Sequence, residues 1–129
     1  MGRGDKVSIA WMDEPAPHNL PASESFLRLL YSDREAATIM ASFEDAPMTS
    51  FKAKDILRAS ELKLLDDENP QVRKNHDKID QDVPLSPILL VRQGDGAKVI
   101  VADGYHRLCA IYHLDQDALI PCKIVPARP

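Results

Sequence analysis

The stretch from Pro87 to Leu114 most constrains what this chain can fold into. Pro87-Ile88-Leu89-Leu90-Val91-Arg92 is a compact apolar run, Gln93-Gly94-Asp95-Gly96 is a turn, and Lys98-Val99-Ile100-Val101-Ala102 is a second apolar run. Two β-branched runs joined by a glycine-rich turn predict a hairpin. Asp103-Gly104 then interrupts, and Leu108, Ala110, Ile111 and Leu114 recur at helical spacing, so the second strand is expected to pass through an Asp-Gly turn into a helix over 105–114. Ile120-Pro121-Cys122-Lys123-Ile124-Val125 predicts a last strand, with Pro121 near its start, where a missing donor is tolerated. The resulting expectation is an α+β class: a small mixed sheet with packed helices.

Upstream, Val7, Ile9 and Trp11 alternate with smaller or polar residues and suggest a short strand, and three prolines between Asp13 and Pro21 mark a loop. Ser23 is read as the cap of a short apolar helix containing Phe26, Leu27, Leu29 and Leu30. Ser32-Asp33-Arg34-Glu35 is a capping box that opens a second helix through Ala36, Ile39, Met40 and Phe43, stopped by Pro47. Residues 1–47 are thus an N-terminal extension of short strand, proline-rich loop and two apolar helices; 48–129 form the main domain. Within the latter, Met48 to Ala53 predicts a strand, Asp55 to Leu65 an amphipathic stretch, and Asp66 to Pro70 a break. Residues 71–82 fit either a short helix or a loop.

Composition narrows the function classes. The 129 residues carry a net charge of −4, divided as −5 over residues 1–82 and +1 over residues 83–129. An acidic total does not support binding DNA by bulk charge, because neutralising phosphates calls for a basic excess; the C-terminal part is the better place for an anionic ligand. No run approaches the roughly 18 apolar residues that span a bilayer, and Met1 to Met12 lacks a secretory pattern, so a cytoplasmic location is expected. Cys109 and Cys122 fit free thiols rather than a disulfide or zinc pair.

The chemistry concentrates at Asp103-Gly104-Tyr105-His106-Arg107. A glycine between strand and helix lets the backbone approach a ligand, and the helix start offers unpaired N–H groups with a partial positive charge. Arg107 adds a guanidinium suited to oxyanions and His106 an imidazole. The competing reading is that Arg107 simply pairs with Asp103. His106, Cys109 and His113 lie on one face of the expected helix at metal-ligand residue types, but a small cysteine there reads as core and no metal site is expected. Asp55 has two readings, a general base or a helix N-cap; Asp66, Asp67 and Glu68 read as a solvated loop rather than as ligands of Mg2+.

Over residues 48–125 the chain resembles the ParB N-terminal-domain and sulfiredoxin-like superfamily. Pro87-Ile88-Leu89-Leu90-Val91 resembles its Pro-Ile-x-Val strand, Gly104-Tyr105-His106-Arg107-Leu108-Cys109-Ala110 its Gly-x-x-Arg-x-x-Ala signature, and Ile120-Pro121-Cys122-Lys123-Ile124 its closing strand. The resemblance implies a ParB/sulfiredoxin-like fold that binds a nucleotide, ATP or CTP with Mg2+, or another phosphate-bearing ligand. Asp103, Gly104, Tyr105, His106 and Arg107 would form the site, with His106 and Asp55 as catalytic candidates for a phosphotransferase or nucleoside triphosphatase. Tyr105 stands where sulfiredoxins carry their catalytic cysteine, so that activity is not expected. Val72 replaces the second proline of the partition proteins' Asn-Pro-x-Gln-Pro-Arg stretch, and no helix-turn-helix region follows, so centromere binding is not expected. The alternative is a non-catalytic module in a DNA-associated or interaction role, with the helices at 23–43 as a homodimer surface.

Overall fold

The computed structural model of the chain describes residues 8–128. Its elements are α1 (Leu20–Leu27), α2 (Asp33–Asp45), β1 (Thr49–Lys52), α3 (Ala53–Ser60), α4 (Pro70–Asp80), β2 (Ile88–Arg92), β3 (Val99–Asp103), α5 (Tyr105–Leu114) and β4 (Leu119–Pro126). The strands form one mixed sheet in the order β1-β4-β2-β3, an α+β architecture. β2 and β3 pair antiparallel as the hairpin the sequence predicts, β1 pairs antiparallel with β4, and the central strands β2 and β4 run parallel.

The unbroken apolar run of β2 follows from its place in the sheet. Ile88 and Leu90 face a layer built from α3 and α5, where they pack with Ile56, Leu108, Ile111 and Ile120. Leu89 and Val91 face the opposite layer, α1 and α2, and pack with Leu27, Ala36, Ile39 and Phe43. A strand covered on both faces has no solvent side, so both sets of alternating side chains are apolar. Residues 20–45, expected as an extension, supply the second of these layers. α4 packs outside α5 through Val72, against Cys109 and Ala110.

Local signals explain the boundaries. Ser32 Oγ accepts the Glu35 N–H at 3.1 Å while Glu35 Oε1 accepts the Ser32 N–H at 3.0 Å, the reciprocal capping box. Asn69 Oδ1 accepts the N–H groups of Gln71 and Val72, and Pro70 occupies the first position of α4. The Asn-Pro pair is therefore a helix start, and of the segment 71–82 the residues up to Asp80 are helix, with Gln81 and Asp82 a turn. α3 is shorter than the amphipathic stretch from Asp55 to Leu65, because Glu61 adopts a left-handed φ of 58° and ends it. Ser23 lies inside α1 instead of capping it, its hydroxyl donating to the Asn19 carbonyl; the helix starts earlier, with Pro21 in its first turn. Of the strand expected at 7–11, Val7 lies outside the described residues, and Trp11 makes a single parallel bridge to Leu85. No described helix is long and apolar enough to cross a membrane.

Two-sided burial of β2 makes a specific expectation for stability. Leu89→Ala and Leu90→Ala, which point to opposite layers, should each cost about 2–5 kcal/mol in urea or thermal unfolding. A sheet covered on one face only would leave one of the two substitutions nearly neutral.

Candidate functional site

β3 delivers Asp103 to the end of the sheet, Gly104 turns the chain, and α5 begins at Tyr105. Gly104 has φ 115°, a left-handed conformation that L side chains rarely adopt, and a Cβ there would lie 2.6 Å from Ile88 Cγ1. Close packing of the turn on β2 thus requires glycine whether or not a ligand binds. The first-turn amides of α5 are left open by this arrangement. Leu108 N–H closes the first helical bond, to the Gly104 carbonyl, and no side chain caps the helix. Among the described residues, the N–H groups of Tyr105, His106 and Arg107 have no partner. Other helices meet this need differently: α2 and α4 are capped by side chains, α3 gives its first amides, Ala53 and Lys54, to the carbonyls of Ala118 and Gln116, and α1, which no side chain caps either, continues from the turn at Pro17–Asn19 with its Leu20 N–H donating to the Pro17 carbonyl.

Arg107 folds back over this turn. Its Nη2 lies 2.7 Å from Asp103 Oδ2, with both side chains largely buried, and reaches the Pro87 carbonyl at 3.5 Å. The pairing with Asp103 that competed with phosphate binding in the sequence is therefore present. It consumes one end of the guanidinium: Nε is buried without a hydrogen-bond partner. His106 is exposed beside the turn, its ring 5.5 Å from that of Tyr105.

Tyr105, Cys109 and His113, spaced four residues apart, form a stripe on α5 that faces the loop before α4. The Tyr105 hydroxyl donates to the Lys63 carbonyl, Cys109 Sγ accepts the Leu65 N–H at 3.5 Å, and His113 Nε2 lies 2.7 Å from the Leu65 carbonyl oxygen. His76 of α4 adds a contact at 3.3 Å between its Nδ1 and Asp67 Oδ1, with Nε2 at 2.9 Å from the Ala110 carbonyl oxygen. The sequence reading grouped Cys109 with the sheet-facing core. Instead Leu108 and Ile111 face the sheet, and Cys109 is turned towards α4, because neighbouring helical positions are about 100° apart. Tyr105 is correspondingly tied to the loop by its hydroxyl. Burial raises its phenol pKa, with the Cys109 thiol adding to the effect, and burial likewise raises that of Cys109.

Asp55 is not brought to this turn. It sits in the first turn of α3 and caps nothing; Lys52 holds the cap position. Its Oδ1 lies 3.5 Å from Arg58 Nη2, and it opens onto a small apolar cleft with Phe51, Leu90, Arg92 and Val99. That cleft lies at the Arg92–Val99 end of the hairpin, whereas the turn follows Asp103 at the far end of β3. Asp66 to Glu68 form an exposed loop, with Asp66 Oδ1 accepting the Glu68 N–H and Glu68 3.8 Å from Arg73. No group of three or more metal-ligating side chains occurs among the described residues.

No family model matches the chain, and neither a curated protein nor a solved structure matches it.

The turn and the thiols each generate an expectation. Gly104→Ala should destabilise the fold by about 1–3 kcal/mol, through left-handed strain and overpacking against Ile88, measured by urea unfolding. Cys122, buried in the sheet, has its thiol pKa pushed up to about 11. Below the unfolded-state value near 8.5 both states keep the proton and stability is unaffected; above it the unfolded thiol ionises first. Stability should thus fall as pH rises from about 9 to about 11, and native alkylation of both cysteines at pH 8 should be slow. Rapid labelling of the folded protein would contradict the burial of both thiols.

Proposed function

We propose that this chain binds a nucleotide or another phosphate-bearing small molecule at the Asp103–Arg107 turn, as its resemblance to the ParB/sulfiredoxin-like superfamily implies. The observation that carries the reading is the set of three unpartnered amides, from Tyr105, His106 and Arg107, at the start of a ten-residue helix beside a guanidinium whose Nε has no partner. Open amides and the positive end of the helix dipole suit an oxyanion. In this reading the amides hold phosphate oxygens, Arg107 adds charge from the side of Asp103, and exposed His106 donates a further hydrogen bond.

Metal does not fit this turn as a resident group. Asp103, the carboxylate within it, is already bound to Arg107 at 2.7 Å, so Mg2+ would have to arrive on the phosphates of ATP or CTP. A catalytic step is not part of the proposal either, because Asp55, the candidate base, opens onto a different cleft. Binding is the function the geometry supports, and of the two catalytic candidates only His106 stands beside the turn.

Titrating inorganic phosphate, ATP and CTP, each with and without Mg2+, tests this by calorimetry and amide chemical shifts. Saturable binding should move the amide signals of Tyr105, His106 and Arg107. Arg107→Ala should weaken it by about 1.5–3 kcal/mol, more than tenfold, the scale of a hydrogen bond to a charged group. Arg107→Lys keeps a charge for Asp103 but loses the planar fork, and should bind less tightly than the parent while remaining folded. Unchanged affinity in the folded Arg107→Ala variant, or no response of the three amides, would make the turn structural only.

A further inference from the structure

Lys123 lies in the middle of β4, in register with Leu89 of β2, and faces the α1–α2 layer. Its side chain is 5% exposed. Nζ donates to the Phe43 carbonyl, in the last turn of α2, at 2.9 Å, and lies 2.9 Å from Glu14 Oε1. An ammonium in such a layer is costly unless paired, and an apolar residue between Leu89 and Val125 would carry no such cost. The anionic partner is not itself part of the layer: Glu14 is 66% exposed, and its carboxylate makes no other ion pair or hydrogen bond among the described residues. It comes from the proline-rich segment that precedes α1.

Above this pair is a cleft of about 770 Å³ between the proline-rich segment, α1 and α2. Its walls are largely apolar, from Pro17, Leu20, Met40, Phe43 and Leu89, with Lys123 as the single basic group. A concave, mostly apolar cavity with a few placed polar groups, here Lys123 and the carboxylates of Glu14, Glu24 and Glu44, is the usual form of a small-molecule site, and the volume is in the usual range.

We propose that this cleft binds a small monocarboxylate with an apolar body, whose carboxylate takes the place of Glu14 on Lys123. Glu14 already shows that a carboxylate reaches the amine at 2.9 Å, and its exposure lets it swing into water while the incoming carboxylate keeps the buried ammonium paired. The apolar walls receive the body of the ligand. Glu24 and Glu44 also line the cleft, and neither has an ion-pair partner among the described residues. Their charge disfavours dianions and polyanions, so the site selects a single negative charge and is distinct in chemistry from the phosphate turn.

The test uses octanoate and phenylacetate as probes, with phenylacetamide and inorganic phosphate as comparisons, read by calorimetry and by the methyl resonance of Met40 in the cleft. The two carboxylates should bind and shift Met40, with the amide and phosphate at least tenfold weaker. Glu14→Gln removes the internal competitor and should tighten octanoate about tenfold. Lys123→Met, similar in length and apolar, should abolish carboxylate binding. If Lys123→Met does not fold, the Glu14→Gln arm decides alone. Unchanged affinity in Glu14→Gln, no carboxylate binding in the parent and in that variant, or equal binding of phosphate or the amide would overturn the proposal.

Discussion

The burial of β2 on both of its faces is the constraint on which the rest of the structure depends. Ile88 and Leu90 need one apolar layer and Leu89 and Val91 another, so neither helix group alone completes the core. The parallel pairing of β2 with β4 places Lys123 opposite Leu89, inside the α1–α2 layer. The hairpin to β3 sends Asp103 to the end of the sheet and commits α5 to the opposite layer, through Leu108 and Ile111. Each candidate site is thus a by-product of how the two layers are built.

At the Asp103–Arg107 turn, structural demands and the proposed anion site fall on one set of residues. Gly104 is demanded by the approach of the turn to Ile88, and a glycine at the cap position has no side chain to accept from the first amides of α5. Arg107 steadies the turn through Asp103 and stands next to those amides. A structural ion pair and an anion site are therefore compatible here, since the guanidinium has five donors and the pair engages only one of its nitrogens. On the neighbouring face of α5, Tyr105, Cys109 and His113 anchor the 63–65 loop.

Local structure was legible wherever the determining residues were close in sequence. The Ser32–Glu35 capping box, the 93–96 hairpin turn and the Asp103-Gly104 junction each act over a few residues and formed where the pattern placed them. Asn69-Pro70 carried an equally local signal, a cap followed by a first-position proline, but read as a break because helix starts and loop ends use the same residue types. The grouping of His106 with Cys109 and His113 was less informative. Four-residue spacing from Tyr105 matters instead, and only the partner loop reveals which stripe is in use.

By itself the sequence determined the class of the fold, the order of its strongest elements and the need for glycine at the strand-to-helix turn, because these follow from periodicity, capping and backbone conformation within a short span. Tertiary structure alone decided which way Arg107, Cys109 and Lys123 point and what they meet. Lys123 bonds Phe43 across 80 positions and Tyr105 bonds Lys63 across 42, so no local pattern encodes either contact. In sequence Lys123 is only one position of the last strand, with nothing local to say what covers it. Only the packing of α2 over β4 makes it a buried amine beneath a cleft, since burial is a property of what covers a residue and not of the residue itself.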